Sequence, residues 1–231
     1  MKTRSLSWLA LPVLLLLGGC PEGGGGDGGF GNGGGISTRI AYVANSGSNN
    51  VFGYMISTNG ALTTIIGSPF SGVTAPSAVT VSADGSFVYV TNQGGANSVS
   101  AFTVNSTTAE LTLVANSPFA AGINPSAVTV SPNGNFLYVA NGGSNNVSAF
   151  TIDGATGALT SPATIAAGTS PSGVSIDPNG LFLYVTNSGS NNVSAYTITT
   201  GTGALTPISG ALGNPFSAGT TPLGIATPGR P

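Results

Sequence analysis

Residues 125–152 read PSAVTVSPNGNFLYVANGGSNNVSAFTI, and their pattern decides the fold. Three short runs rich in Val, Phe, Tyr and Thr are separated by an Asn-Gly turn (Asn133-Gly134) and a polar turn (Gly143 to Asn146). Such runs fit a pleated, half-buried surface, and the Gly- and Asn-bearing breaks are hairpin chemistry. The segment predicts consecutive antiparallel strands with no room for a helix.

Working outward, the same text recurs. Its landmark appears as Tyr42-Val43-Ala44-Asn45, Tyr89-Val90-Thr91-Asn92, Tyr138-Val139-Ala140-Asn141 and Tyr184-Val185-Thr186-Asn187, at spacings of 47, 49 and 46 residues. Each copy goes on through an Asn-rich turn, an alternating run, a second turn and a Leu-Thr pair at Leu62, Leu111, Leu159 or Leu205. It then ends on a proline, at Pro76, Pro125, Pro171 or Pro222. Four short strands in about 45–50 residues, repeated, are the signature of propeller blades. Asp84-Gly85, Asn133-Gly134 and Asn179-Gly180 predict type I′ turns. The fold class expected is all-β, a beta-propeller of four four-stranded blades.

The Tyr-Val-Thr-Asn element, preceded by Pro-Ser-Ala-Val-Thr-Val-Ser, resembles the YVTN repeat of the lactonase-like propellers, a family that includes bacterial 6-phosphogluconolactonase. The resemblance spans about residues 37–228. It implies a propeller and, through the family's enzymes, hydrolysis of a sugar lactone in a seven-bladed ring. This chain is too short for seven blades, and no catalytic residue of the family transfers to it.

Within a unit the strands are a (Pro-Ser-Ala-Val-Thr-Val), b (Tyr-Val-Thr-Asn), c and d. The first unit starts at strand b, at Arg39, and the last stretch, Pro222 to Thr227, matches strand a. That C-terminal strand is expected to complete the first blade, either within a four-bladed monomer or between two chains of an eight-bladed homodimer. Closure would remove the exposed strand edges.

The N-terminal residues read as an address. Lys2 and Arg4 precede an apolar run from Leu9 to Leu17, too short to span a bilayer. Leu17-Gly18-Gly19-Cys20 resembles a bacterial lipobox. Residues 1–20 are therefore expected to be a lipoprotein signal, with lipidation at Cys20 and attachment to the cell envelope. Pro21 after the cysteine points to the outer membrane by resemblance to enterobacterial sorting. Residues 21–35, PEGGGGDGGFGNGGG, are a flexible linker, and the propeller occupies residues 36–231. Gly29, Gly31 and Gly34 match a dinucleotide-binding spacing, but no strand precedes them and no helix follows.

Composition restricts the chemistry. The 231 residues include 4 Lys or Arg, 6 Asp or Glu, one Cys and no His. Without imidazole there is no Ser-His-Asp or Cys-His triad. One cysteine allows neither an intrachain disulfide nor a thiolate zinc site. A net charge of −2 gives no footprint for nucleic acid. No cofactor and no metal site are expected. Asp84, Glu110 and Asp153 fall in or beside turns, where aspartate bonds nearby amides. Asp177 replaces the Ser82 and Ser131 of other copies and is expected to cap its turn.

The b–c and d–a loops of a propeller share one face. Here that face predicts a binding surface of Asn49, Asn50, Asn97, Asn145, Asn146, Asn191 and Asn192 with Phe70, Phe119 and Phe216. Amides both donate and accept, so a glycan or an envelope protein is the expected partner. The competing reading makes the asparagines ordinary turn residues and the phenylalanines packing between blades. Function is expected to be that of a binding or scaffolding module, with a divergent lactone hydrolase and a structural envelope protein as the alternatives.

Overall fold

A computed structural model describes residues 39–160, 163–209 and 214–227, all within one compact unit. The signal, Cys20 and the linker lie outside the described residues, as does Pro162. The described residues contain no helix, and their strands form four antiparallel sheets.

The first sheet holds β1 (Arg39–Asn45), β2 (Asn50–Ile56) and β3 (Leu62–Thr64). The second holds β4 (Pro76–Val81), β5 (Phe87–Asn92), β6 (Ser98–Val104), β7 (Leu111–Leu113) and β8 (Phe119–Ala120). The third holds β9 (Pro125–Val130), β10 (Phe136–Asn141), β11 (Asn146–Thr151) and β12 (Ala163–Ala166). The fourth holds β13 (Pro171–Ile176), β14 (Phe182–Asn187), β15 (Asn192–Ile198), β16 (Leu205–Pro207) and β17 (Phe216–Ser217). Strands pair in chain order within every sheet, as the repeat predicts, and β8 and β17 add to β6 and β15 beyond a break in strand d. At that break a side chain replaces the ladder. Ser117 Oγ accepts from Ala101 N at 2.9 Å, and Asn214 Oδ1 accepts from Ala195 N at 3.1 Å.

Alternation along each strand fills the space between sheets. Phe87 and Tyr89 point into the junction with the third sheet, where they meet Leu137, Val139 and Phe150; Val88 and Val90 point back toward Val51 and Ile65. A third cluster joins Tyr138 and Val147 to Leu183, Val185 and Tyr196. Because both faces are covered, every residue of β5 and of β10 is buried. Apolar burial at about 25 cal/mol per Å² is the main stabilising term here, since ion pairs have so few partners.

The a–b turns differ from the expected type I′. Only the glycine has positive φ (Gly85 75°, Gly134 74°, Gly180 71°), and Asp84, Asn133 and Asn179 are absent from the positive-φ positions. The reason is a side-chain bond. Asp84 Oδ1 accepts from Ser82 Oγ (2.6 Å) and Ser86 N (3.1 Å), and Asn133 Oδ1 does the same with Ser131 and Asn135. That bracing suits a type I turn closed by a left-handed glycine.

The first sheet has no strand inside β1, and the segment Pro222–Thr227 makes no ladder with β1. It lies along β13 instead. Ser172 Oγ donates to Pro222 O at 2.7 Å, and Ser175 Oγ meets Thr227 Oγ1 at 3.0 Å. A Cβ on Gly173 would stand 2.8 Å from Leu223 O, so the close approach needs glycine. The same stitch joins earlier inner strands: Ser77 bonds Pro125 O, and Ser126 bonds Pro171 O at 2.7 Å. Residues 222–227 thus occupy the inner-strand place of a following blade.

Candidate functional site

The b–c turns gather at one end of the sheets. In each, one asparagine adopts the left-handed conformation: Asn49 (φ 53°), Asn97 (43°), Asn145 (54°) and Asn191 (54°). Asparagine tolerates that region better than most residues. Its side chain then reaches the next unit. Asn49 Oδ1 accepts from Ala75 N (2.6 Å), Asn97 from Asn124 N (2.9 Å), Asn145 from Ser170 N (2.8 Å) and Asn191 from Thr221 N (2.7 Å). Each donor precedes the proline opening the next strand a, and each also has positive φ, between 42° and 53°. The four amides are therefore pinned by their oxygens. Their Nδ2 groups have no protein acceptor among the described residues, and Asn49, Asn145 and Asn191 are exposed.

The neighbouring asparagines are held differently. Asn50, Asn146 and Asn192 accept through Oδ1 from Nδ2 of Asn45, Asn141 and Asn187 at 3.0, 2.8 and 2.8 Å. Asn141 and Asn187 donate also to Ser148 and Ser194, while Asn92 donates to Ser98 and Ser100. This buried amide ladder ties strand b to strand c. Asn92 and Asn187 also accept from the d–a loop, through Thr74 N and Gly168 N. Asn141 Oδ1 is buried without a partner.

Phe70, Phe119 and Phe216 sit opposite Val51, Val99 and Val193, with Ile165 opposite Val147 as the fourth equivalent. Phe70 is buried in the first junction and Phe119 packs on the second. Packing describes these two rings better than display.

The ionisable groups serve turns. Asp177 Oδ1 accepts from Leu181 N and Phe182 N, both at 2.7 Å, and Oδ2 from Asn179 N at 3.1 Å. It caps the turn where Ser82 and Ser131 accept from Phe87 N and Phe136 N. Burial of Asp84 opposes ionisation, but hydrogen bonds from Ser82 and Ser86 outweigh it and hold the carboxyl below its ordinary value. Amides of Ala155 and Thr156 lower Asp153 in the same way. Among the described residues no three of His, Cys, Asp and Glu cluster as a metal site would need.

Sequence reading missed the tyrosine bonds. Tyr42, Tyr89 and Tyr138 each send a hydroxyl across a junction, to Ala109 O (2.7 Å), Gly157 O (3.1 Å) and Gly203 O (2.9 Å). Their fixed place in every copy was the available signal. Burial pushes the Tyr42 phenol up to about 12 and raises Tyr89 and Tyr138 further.

These sheets, stacked side by side through repeated stitches, match known propellers. The family model described as "Lactonase, 7-bladed beta-propeller" matches residues 36–161 and 116–217. Among curated proteins no relative matches. Solved structures do. A protein of Lactobacillus plantarum superposes with TM-score 0.68 at 22% identity, over 79% of this chain and 53% of that one. A protein of Bacteroides uniformis, provisionally assigned as a 6-phosphogluconolactonase, gives 0.65 at 21%, over 75% and 55%. The periplasmic gluconolactonase of Pseudomonas aeruginosa gives 0.61 at 22%, over 80% and 52%. The chain thus spans little more than half the length of these structures, and at such identity they speak for the fold alone. Together with the family match over most of its length, the repeat makes this chain a member of the lactonase beta-propeller family.

Proposed function

We propose that this chain is a lactonase-type propeller unit of the bacterial cell envelope, held by lipid at Cys20, that takes a sugar lactone on the b–c turn face. Four blades present the loops, and Pro222–Thr227, which lies along β13, holds the inner-strand place of a blade that a neighbouring β1 edge would continue. The pinned asparagines are the observation that carries the ligand class. With each Oδ1 committed to the next blade, Asn49, Asn97, Asn145 and Asn191 offer Nδ2 in a fixed orientation. Oriented amide donors suit the hydroxyls and carbonyl of a lactone, and such donors stabilise an oxyanion as water adds to that carbonyl. The family match supports the same substrate class.

A second reading, binding without turnover, is favoured by the capped carboxylates. Asp84, Asp153 and Asp177 all accept from their own turns and Glu110 accepts from Thr108 Oγ1, so every described carboxylate is engaged beside a turn. The test is calorimetric titration of the full chain with δ-gluconolactone and with gluconate. Saturable binding that weakens in Asn145→Ala supports the face; no heat with either ligand at millimolar concentration refutes it.

A further inference from the structure

The two end sheets each carry one unmatched half of the interface that joins the sheets inside the chain. At an internal junction, strands b, c and d of the later sheet offer alternate apolar residues to the earlier one. Val139 (0% exposed) and Leu159 (6%) do so in the third sheet. Their counterparts in the first sheet are Val43 and Leu62, which stand 44% and 58% exposed. Phe52 and Tyr54 lie on that same alternation of β2 and stack at 6.0 Å between centroids. In the other sheets the Phe52 position is Ser100, Ser148 or Ser194, bonded to the buried asparagine of strand b. An aromatic stack thus replaces an internal hydrogen bond on the outer face of the first sheet.

The other end is complementary. Phe87 and Phe136 pack so closely on Gly157 and Gly203 that a Cβ there would fall 2.3 and 2.4 Å from the rings. Phe182 and Tyr184 are the corresponding residues of the fourth sheet, and both are only partly buried. Tyr184 makes none of the cross-junction bonds of Tyr42, Tyr89 and Tyr138 among the described residues. The matching acceptor in the first sheet is the Gly60 carbonyl. Gly60 has φ 83°, like Gly157 and Gly203 (75° and 69°), and open space where they meet a ring.

We propose that two copies of this chain join head to tail. The fourth sheet of each packs Phe182 and Tyr184 on Gly60 and Leu62 of the other, and Pro222–Thr227 enters as the inner strand beside its β1. Continuity with the three internal junctions identifies the occupant: the end face of one copy is the neighbour that the first sheet of another lacks. A second copy fits better than the chain's own end. Residues 222–227 lie along β13 and make no ladder with β1 of the same chain. Two identical heterologous contacts about one twofold axis give a closed ring of eight blades and remove the β1 edge. The pairing does not depend on whether the turn face takes a lactone.

The test is sedimentation velocity of the full chain in mild non-ionic detergent, beside Val43→Glu. A charge buried without a partner is strongly unfavourable, so this substitution should weaken association about tenfold or more. The melting temperature of the separated protomer should stay the same, because Val43 is already exposed there. Leu62→Cys and Phe182→Cys, each in a Cys20→Ser background, are also made on separate copies, mixed and treated with a short bismaleimide. A dimer mass, its loss in Val43→Glu and covalent dimers only in the mixture are expected. A monomer at all concentrations overturns the proposal, whether or not a doubly substituted chain cross-links to itself. So does an open-ended series of masses.

Discussion

The hydroxyl of Tyr138 donates to the carbonyl of Gly203 across the junction of the third and fourth sheets, at 2.9 Å and out of contact with water. It joins residues 65 positions apart and recurs as Tyr42 with Ala109 and Tyr89 with Gly157. A blade in this chain is thus defined as much by what it bonds in its neighbour as by its own ladder.

Tyr138→Phe keeps the ring and removes the donor, leaving a buried carbonyl unpaired. The expected cost is about 1–3 kcal/mol. At roughly 2–4 °C per kcal/mol for a domain of this size, differential scanning calorimetry should resolve the drop. An unchanged melting temperature would show that the bond carries no net stability.

Gly203→Ala and Gly60→Ala separate crowding from backbone strain. Both glycines have positive φ, but the new methyl would strike the Phe136 ring at 2.4 Å in one and meet open space in the other. Gly60→Ala should cost about 1 kcal/mol from conformation alone. Gly203→Ala should cost about 1–3 kcal/mol more from overpacking. Urea titration of the two variants as separated protomers, in the Val43→Glu background, checks the order, and equal losses there would contradict the packing of Phe136 on Gly203 at the junction of the third and fourth sheets.

Asn145→Ala loses both the bond to Ser170 N and the residue type suited to its φ of 54°. Asn145→Gly loses only the bond. Ala should therefore be the more destabilising of the two, by about 1 kcal/mol. Comparing their unfolding midpoints measures the conformational part directly.

The architecture was legible because the repeat copies whole strands. Tyr-Val-Thr-Asn and its partners fall on β1, β5, β10 and β14 in register. The turn type was not, because Asp84 and Asn133 brace their turns from the side chain and leave positive φ to one glycine. The asparagines of the predicted face were legible as a repeated set, but their task was not. A left-handed Asn that bonds a neighbouring blade and one that only ends a strand look alike in sequence. Phe70 and Phe119 read from sequence as display or, more readily, as packing between blades, and the junctions between sheets hold both rings in packing.

Stability should fall on the alkaline side. Burial holds the Tyr42 phenol near 12, and Tyr89, Tyr138 and Tyr196 are raised as well. A raised phenol contributes stability that is complete below its unfolded value of about 10 and is lost as pH rises through the folded one. Asp84 and Asp153 are lowered, so their contribution is present above about 4 and is lost as pH falls through their folded values. With no histidine the curve should be flat between these limbs. A transition centred near pH 6–7 in urea midpoints, where a histidine would titrate, would contradict this assignment.

The proposed envelope anchor is tested by Cys20→Ser. The wild-type chain should pellet with membranes and be extracted by detergent, and the variant should appear in the soluble fraction. A variant that still pellets would mean that the lipid is elsewhere or absent.

The function is tested most directly by following acid release from δ-gluconolactone and its 6-phosphate in a pH-stat, with the full chain against the spontaneous rate. The account predicts saturable acceleration that falls when Asn145 and Asn191 are replaced by alanine. Hydrolysis at the spontaneous rate at every concentration of chain would contradict lactone turnover and leave binding alone as the work of the turn face.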